Sequence, residues 1–300
     1  MSQKRKGVLQ SYLMLLPNLA LFLVISVYPV IWALQYMLFE FNGIGEKRFV
    51  GVENFIRLFT RDPNYWNSVR NTFVYAGGKI LLIIPLAFLV AVLINNPKRL
   101  YGGVQAVVFS PTIMSSAVMS LVFYLLFNVY NGEINRMLSD AGLINAPINW
   151  LGREYAMITV ILVAVWGGLG NYMVYFLAGL QQIDTSIYES AEIDGVTYWQ
   201  KMRYITIPML GSVLKTILML AIINGFYDYQ SIMVLTEGGP FGATEVMFLN
   251  LYKLYYPSAD AYTFRPQYGY GAAVSVITAL IVGGTTLIYL RLSKKLDEIY

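Results

Sequence analysis

The 300-residue sequence contains no cysteine and no histidine. Without cysteine there are no disulfides, thiolate metal sites or thiol nucleophiles. Without histidine the commonest general base and the commonest zinc ligand are missing. Charge is scarce too: Asp, Glu, Lys and Arg together make 13% of the chain, against about 25% in an ordinary soluble domain. No GxxxxGK(S/T) phosphate loop occurs, so any ATP and Mg must be bound by another chain and no cofactor is expected on this one. No basic block marks a nucleic-acid surface, and no nucleophile elbow or metal-ligand cluster marks an enzyme. Hydrophobic residues, by contrast, fill 57% of positions. That composition predicts an all-α integral membrane protein in contact with lipid.

Lys4-Arg5-Lys6 precedes an apolar run over residues 12–39. The run is far longer than the roughly 7–15-residue core of a signal peptide and lacks a small-x-small cleavage site, so it reads as a first membrane span. Pro17 and Pro29 are expected to bend or interrupt it. Further runs at 71–94, 104–129, 155–180, 213–235 and 271–290 each reach about the 20 residues that cross a bilayer. Six spans put both termini on one side. With the termini cytoplasmic, the inner segments carry eleven Lys and Arg and the outer ones nine, Lys79 lying within a span. The terminal clusters and the tight Lys98-Arg99 turn abut helix ends and weigh most in this positive-inside reading. No repeat or linker is visible, and residues 1–300 read as one transmembrane domain. Between spans, residues 245–256 read as a short amphipathic helix on the outer surface.

Polar groups inside a span are costly, about 2.5–3.5 kcal/mol for a central Asp on insertion scales, so they usually face a cavity or a partner. In the fifth span Asn224, Tyr227, Asp228 and Ser231 follow the i, i+3, i+4, i+7 spacing of one helix face, with Thr216 on the same side. Asn171, Tyr172 and Tyr175 form a second edge in the fourth span after Gly167-Gly168. Amides, hydroxyls and aromatic faces suit a sugar; the plainer reading of both edges is interhelical hydrogen bonding. Lys79, a lone cation, is expected to snorkel or to pair.

Between these two spans, at about 182–211, lies a polar segment in an otherwise apolar region. Ser186 and Glu189 have the spacing of a capping box, Gly195 fits a left-handed helix stop, and Thr197 with Gln200 forms a second capping box. The segment therefore reads as two short helices hinged at Gly195, the second running to about Ile205 and stopped near Pro208. On the first, Ile187, Tyr188 and Ala191 make an apolar edge, and Glu189, Glu192 and Asp194 line the rest. Such a helix suits a cleft on a partner, Ala191 allowing close approach; the alternative is a solvated loop.

These residues resemble the EAA loop of binding-protein-dependent ABC importer permeases. Glu189, Ala191, Asp194, Gly195, Ile205 and Pro208 match the pattern; Ser190 stands for its usual Ala and Ile207 for its usual Leu. Asp184 departs from the Pro often found before this helix. The stretches 49–55, Asn71-Thr72, 177–181 and 235–240 extend the resemblance to the carbohydrate branch, similar to maltose- and glycerol-phosphate-type permeases. The resemblance implies a type I permease fold in a prokaryotic cytoplasmic membrane. It further implies a second homologous permease as heterodimer partner, two cytoplasmic ATPase subunits and an extracytoplasmic solute-binding protein. Tyr188, Glu189, Ser190, Ala191, Glu192, Asp194 and Gly195 would then couple to the ATPase. The solute would be a sugar, an oligosaccharide or a related polyol or glycerol-phosphate. The competing class is a self-contained secondary transporter or channel, which predicts paired ionisable groups and internal repeats. Only Lys79 and Asp228 lie inside spans, far apart in sequence.

Overall fold

The computed structural model describes residues 3–95, 100–257 and 265–294; the Lys98-Arg99 turn and Lys295 lie outside them. The described chain is almost wholly helical, and its only strands are β1 (Phe39–Glu40) and β2 (Arg48–Phe49), paired antiparallel. Backbone proximity divides the chain into two compact units, Met1–Asp62 with Leu251–Leu280, and Pro63–Asn250 with Ile281–Tyr300.

In the first unit α1 (Gln3–Phe22) passes through a π-turn (Leu23–Val27) into α2 (Tyr28–Leu34). Tyr12–Leu38 is long and apolar enough to span a membrane, and none of its apolar window is covered by the chain itself. Pro17 and Pro29 do not break it. Pro29 follows the π-turn, in which the Tyr28 amide reaches back five residues to Leu23, and the widened turn accommodates the ring. After β1 and β2, α3 (Glu53–Arg61) is pinned by Asn54, whose side-chain amide donates to the carbonyls of Met37 and Phe39 at 3.0 Å each.

The second unit holds the main core. On α4 (Pro63–Ile94), residues 65, 68, 72, 75, 76, 79, 83, 87, 91 and 94 are buried, one stripe mostly at three- and four-residue steps. Lys79 lies on that stripe. Next come α5 (Leu100–Ile113) and α6 (Ser116–Leu126), which replace the expected third span by two helices bent through 96°. Pro111 removes the donor that would bond the Val107 carbonyl, and the Ser110 hydroxyl bonds that carbonyl at 2.9 Å instead. The chain turns at Ser115, whose backbone is extended. Then follow α7 (Glu133–Asp140) and α8 (Ala156–Leu180). At Gly170 a Cβ would sit 2.8 Å from the Phe109 backbone, so glycine is what lets α5 and α8 approach.

The polar segment forms α9 (Thr185–Ile193), α10 (Tyr198–Lys201), a π-turn (Met202–Thr206) and α11 (Ile207–Met209). The second helix therefore does not stop near Ile205: the π-turn takes up Pro208 as the earlier one takes up Pro29, and the chain bends 68° only before α12 (Gly211–Tyr227). The expected fifth span is also interrupted. It divides into α12 and α13 (Gln230–Thr236), with Asp228 extended between them.

Next, α14 (Met247–Tyr255) occupies the predicted short helix, but Val246, Met247 and Leu249 are buried rather than laid on a surface. The Met247 amide donates to the Thr72 hydroxyl at 2.9 Å, and Asn71 donates to the carbonyls of Gly242 and Glu245. The Asn71-Thr72 pair thus anchors the loop that follows the 235–240 stretch. Finally α15 (Tyr268–Ser293) is a fourth continuous apolar helix. Among the described residues four helices are long and apolar enough to span a membrane, six if each bent pair counts as one.

Candidate functional site

The break after Tyr227 decides the geometry of the site. Asp228 leaves the helix, so Asn224 and Tyr227 on α12 and Ser231 on α13 are not one continuous helical face. They nonetheless converge on one cavity of about 340 Å³, with Asn171, Tyr172 and Tyr175 of α8 opposite. Thr112 of α5, Ser116 and Met119 of α6, and Lys79 of α4 also line it. Thr216 is not among the lining residues; its hydroxyl bonds the Ser212 carbonyl of its own helix.

The cavity is polar in two layers. Asn171, Tyr175, Asn224 and Tyr227 are exposed, whereas Lys79, Tyr172 and Ser231 are buried. In the inner layer the Lys79 ammonium lies 2.7 Å from Asp228 Oδ2, which also accepts from the Tyr75 hydroxyl at 2.5 Å. Ser231 donates to Asp228 Oδ1 at 2.7 Å. The buried stripe of α4 carries both Tyr75 and Lys79 to the interrupted span, so extending Asp228 satisfies an otherwise costly cation. Lys79 pairs rather than snorkels, and two ionisable groups 149 residues apart meet. The sequence held the signal for Lys79 in its register with Ile83, Ala87 and Ala91, and for Tyr75 one turn earlier. The outer layer offers neutral amides, phenols and aromatic faces.

The other candidate residues lie on α9. Its N-cap is Asp184, which accepts from the Ser186 amide at 2.9 Å, and not Ser186 as the spacing suggested. A carboxylate one residue before the first turn caps a helix as well as a hydroxyl does, so the departure from Pro at this position is structurally supplied. The Ser186 amide holds the Asp184 carboxyl below its ordinary pKa. At the other end Gly195 has φ +73°, its amide bonding the Glu192 carbonyl and Val196 bonding Ala191, the paired bonds of a Schellman stop. The Thr197–Gln200 capping box is present on α10.

The faces of α9 divide sharply. Ala191 is 5% exposed and Ile187 and Tyr188 pack on the core of the same chain, with the Tyr188 hydroxyl 3.0 Å from that of Thr206. Ala191 is therefore turned toward the chain's own core. Glu189, Ser190, Ile193, Asp194 and Gly195 are exposed, Ile193 at 87%, and Trp199 on α10 is exposed as well. Across the hinge Lys201 donates to Glu192 at 2.7 Å.

That hydrogen bond, reinforced by the lysine charge, lowers the Glu192 pKa. A carboxylate whose folded pKa is depressed contributes stability above its unfolded pKa and loses it as pH falls through the folded one. Hydrogen-exchange protection of the amides at 195–201, corrected for intrinsic rates, is expected to fall on acidification below the ordinary carboxylate range. Lys201→Met is expected to show the low value throughout.

The long apolar helices and the polar cavity at an interrupted span mark a multi-pass membrane protein with a polar site among its helices. Residues 83–298 match the family model described as "Binding-protein-dependent transport system inner membrane component". The chain belongs to this family and is a permease subunit of a binding-protein-dependent importer. The lactose transport system permease protein LacF of Rhizobium radiobacter is 33% identical over 285 residues, 94% of this chain and 93% of its own length. The trehalose/maltose permease protein MalF of Thermococcus litoralis is 32% identical over 286 residues, covering 94% and 93%. The arabinooligosaccharides permease protein AraP of Bacillus subtilis is 31% identical over 290 residues, covering 94% and 88%. A chain of a bacterial ABC transporter that imports the acidic polysaccharide alginate has the same fold, with TM-score 0.80 at 24% identity, covering 97% of this chain and 96% of its own. The Lys79–Asp228 pair removes one argument against a secondary transporter, that its ionisable groups lie far apart; family membership settles the class instead.

Proposed function

We propose that this chain is one of two homologous permeases in an ATP-driven carbohydrate importer. It lines half of the solute path and docks a separate ATPase through α9. The observation that carries this reading is connectivity. The helix entering the α9–α11 segment, α8, and the helix leaving it, α12, both bear exposed cavity residues, Asn171 and Tyr175 on the first and Asn224 and Tyr227 on the second. A push on α9 therefore reaches the cavity through covalent structure and a capped, ion-paired hinge. The acidic, exposed face of Glu189, Ile193 and Asp194 suits a cleft with basic groups and an apolar floor. Curated relatives named for lactose, trehalose/maltose and arabinooligosaccharides support a carbohydrate solute.

The proposed assembly has two ATPases on the cytoplasmic side, binding ATP and Mg, and a solute-binding protein outside. Both termini of this chain are cytoplasmic, and the chain itself is non-catalytic. Replacing residues 186–208 by a flexible linker is expected to abolish copurification of the ATPase while the membrane part remains monodisperse. Undiminished copurification would overturn the docking role.

A further inference from the structure

The two formal charges in the cavity wall are both consumed. Lys79 is 2.7 Å from Asp228, and Asp228 also accepts from Tyr75 and Ser231. Among the described residues, what remains exposed in the cavity wall is uncharged: Asn171, Tyr175, Asn224 and Tyr227, with Met114 and Ser116. From this, and resting on the importer reading above, we infer that Lys79 and Asp228 cancel each other so that this chain's side of the path carries only uncharged carbohydrate. Uronates and sugar or polyol phosphates are excluded.

An anionic solute that drew Lys79 to itself would strand Asp228 without its counter-charge in a largely buried site, where a lone charge is heavily penalised. Ser231 and Tyr75 would still point their donors at Asp228, so the carboxylate would be held in place facing the incoming anion. A path for anions is better served by a cation with no acid beside it. The inner layer is thus a positioning device: it closes the interrupted span at Asp228 and leaves recognition to neutral amides and phenols. The structural relative that imports acidic alginate makes the distinction concrete.

Two measurements test this. First, spent medium from a strain lacking the chain is compared with that of its parent after growth on mixed plant and starch hydrolysates, and the solute left behind is run on anion exchange at pH 7. Failure to bind the resin is expected, and a retained anion overturns the inference. If no solute is left behind, the importer reading falls, and the inference with it. Second, uptake of the solute so identified is compared, per amount of assembled complex, for Lys79→Met, Asp228→Asn and the double variant. If the pair exists to cancel charge, the double variant recovers uptake at least about tenfold over either single. If Lys79 instead binds the solute, the double variant is as impaired as Lys79→Met, which contradicts the inference whatever the folding yield of Asp228→Asn.

Discussion

Glu189→Lys is expected to cut ATP-driven uptake roughly 30-fold while leaving the membrane part folded. Glu189 is exposed on α9, and among the described residues it has no hydrogen-bond or ion-pair partner in the chain. Its substitution therefore costs the isolated permease little, since surface changes away from special features usually stay within about 0.5 kcal/mol. In the proposed complex it meets a basic group, and reversing its sign turns attraction into repulsion. Close charge pairs at interfaces couple by about 1.5–7 kcal/mol, and a loss of only about 2 kcal/mol is already near 30-fold in affinity. The measurement is uptake and ATPase stimulation in proteoliposomes, with circular dichroism and gel filtration as folding controls. Ala191→Lys is the contrast. Ala191 is 5% exposed against the chain's own core, so there the folding controls are expected to fail as well.

Asp228→Asn is expected to destabilise the protein by about 3 kcal/mol, because removing one partner of a buried pair leaves the other charge uncompensated. The side chains of Lys79 and Asp228 are 10% and 20% exposed, so solvent screens them little. The loss is local as well as global. Asp228 is the extended residue at which α12 ends and α13 begins, held there by Tyr75, Lys79 and Ser231. Freed of the ion pair, the break is expected to loosen and the cavity to lose its shape on the α12 side. A fall of about 5–10 °C in the thermal unfolding midpoint of the detergent-solubilised complex is the expected reading. Asn224→Ala, at an exposed position whose side-chain amide reaches the Tyr172 hydroxyl only at 3.5 Å, is the matched control and is expected to leave that midpoint nearly unchanged.

The helical fold was legible because membrane spans need long apolar runs, and these stand out against 13% charge. The breaks were harder to read. Pro29 and Pro208 look like helix breakers, yet π-turns absorb both, and only the backbone shows where a turn has widened. The interruptions themselves, at Ser115, Leu210 and Asp228, fall on residues other than proline. Asp228 departs from the helix because a buried Lys79 on α4 draws it out, a pairing set by tertiary register. Helical spacing brought Asn224, Tyr227, Asp228 and Ser231 together on a premise that the backbone does not obey, and the cavity gathers them regardless. On α9 the Gly195 stop and the Thr197 capping box were readable because both are local. Which face turns inward was not, since burial of Tyr188 and Ala191 depends on the core beneath them.

A push on α9 is expected to be felt at the cavity. The absence of cysteine permits a direct measurement. A single Asn224→Cys variant in the reconstituted complex is labelled with a maleimide before and after addition of ATP and Mg. The account predicts a labelling rate that changes with ATP in this variant and ceases to change when Glu189→Lys is added. An ATP-dependent change that persists undiminished in the double variant would contradict it.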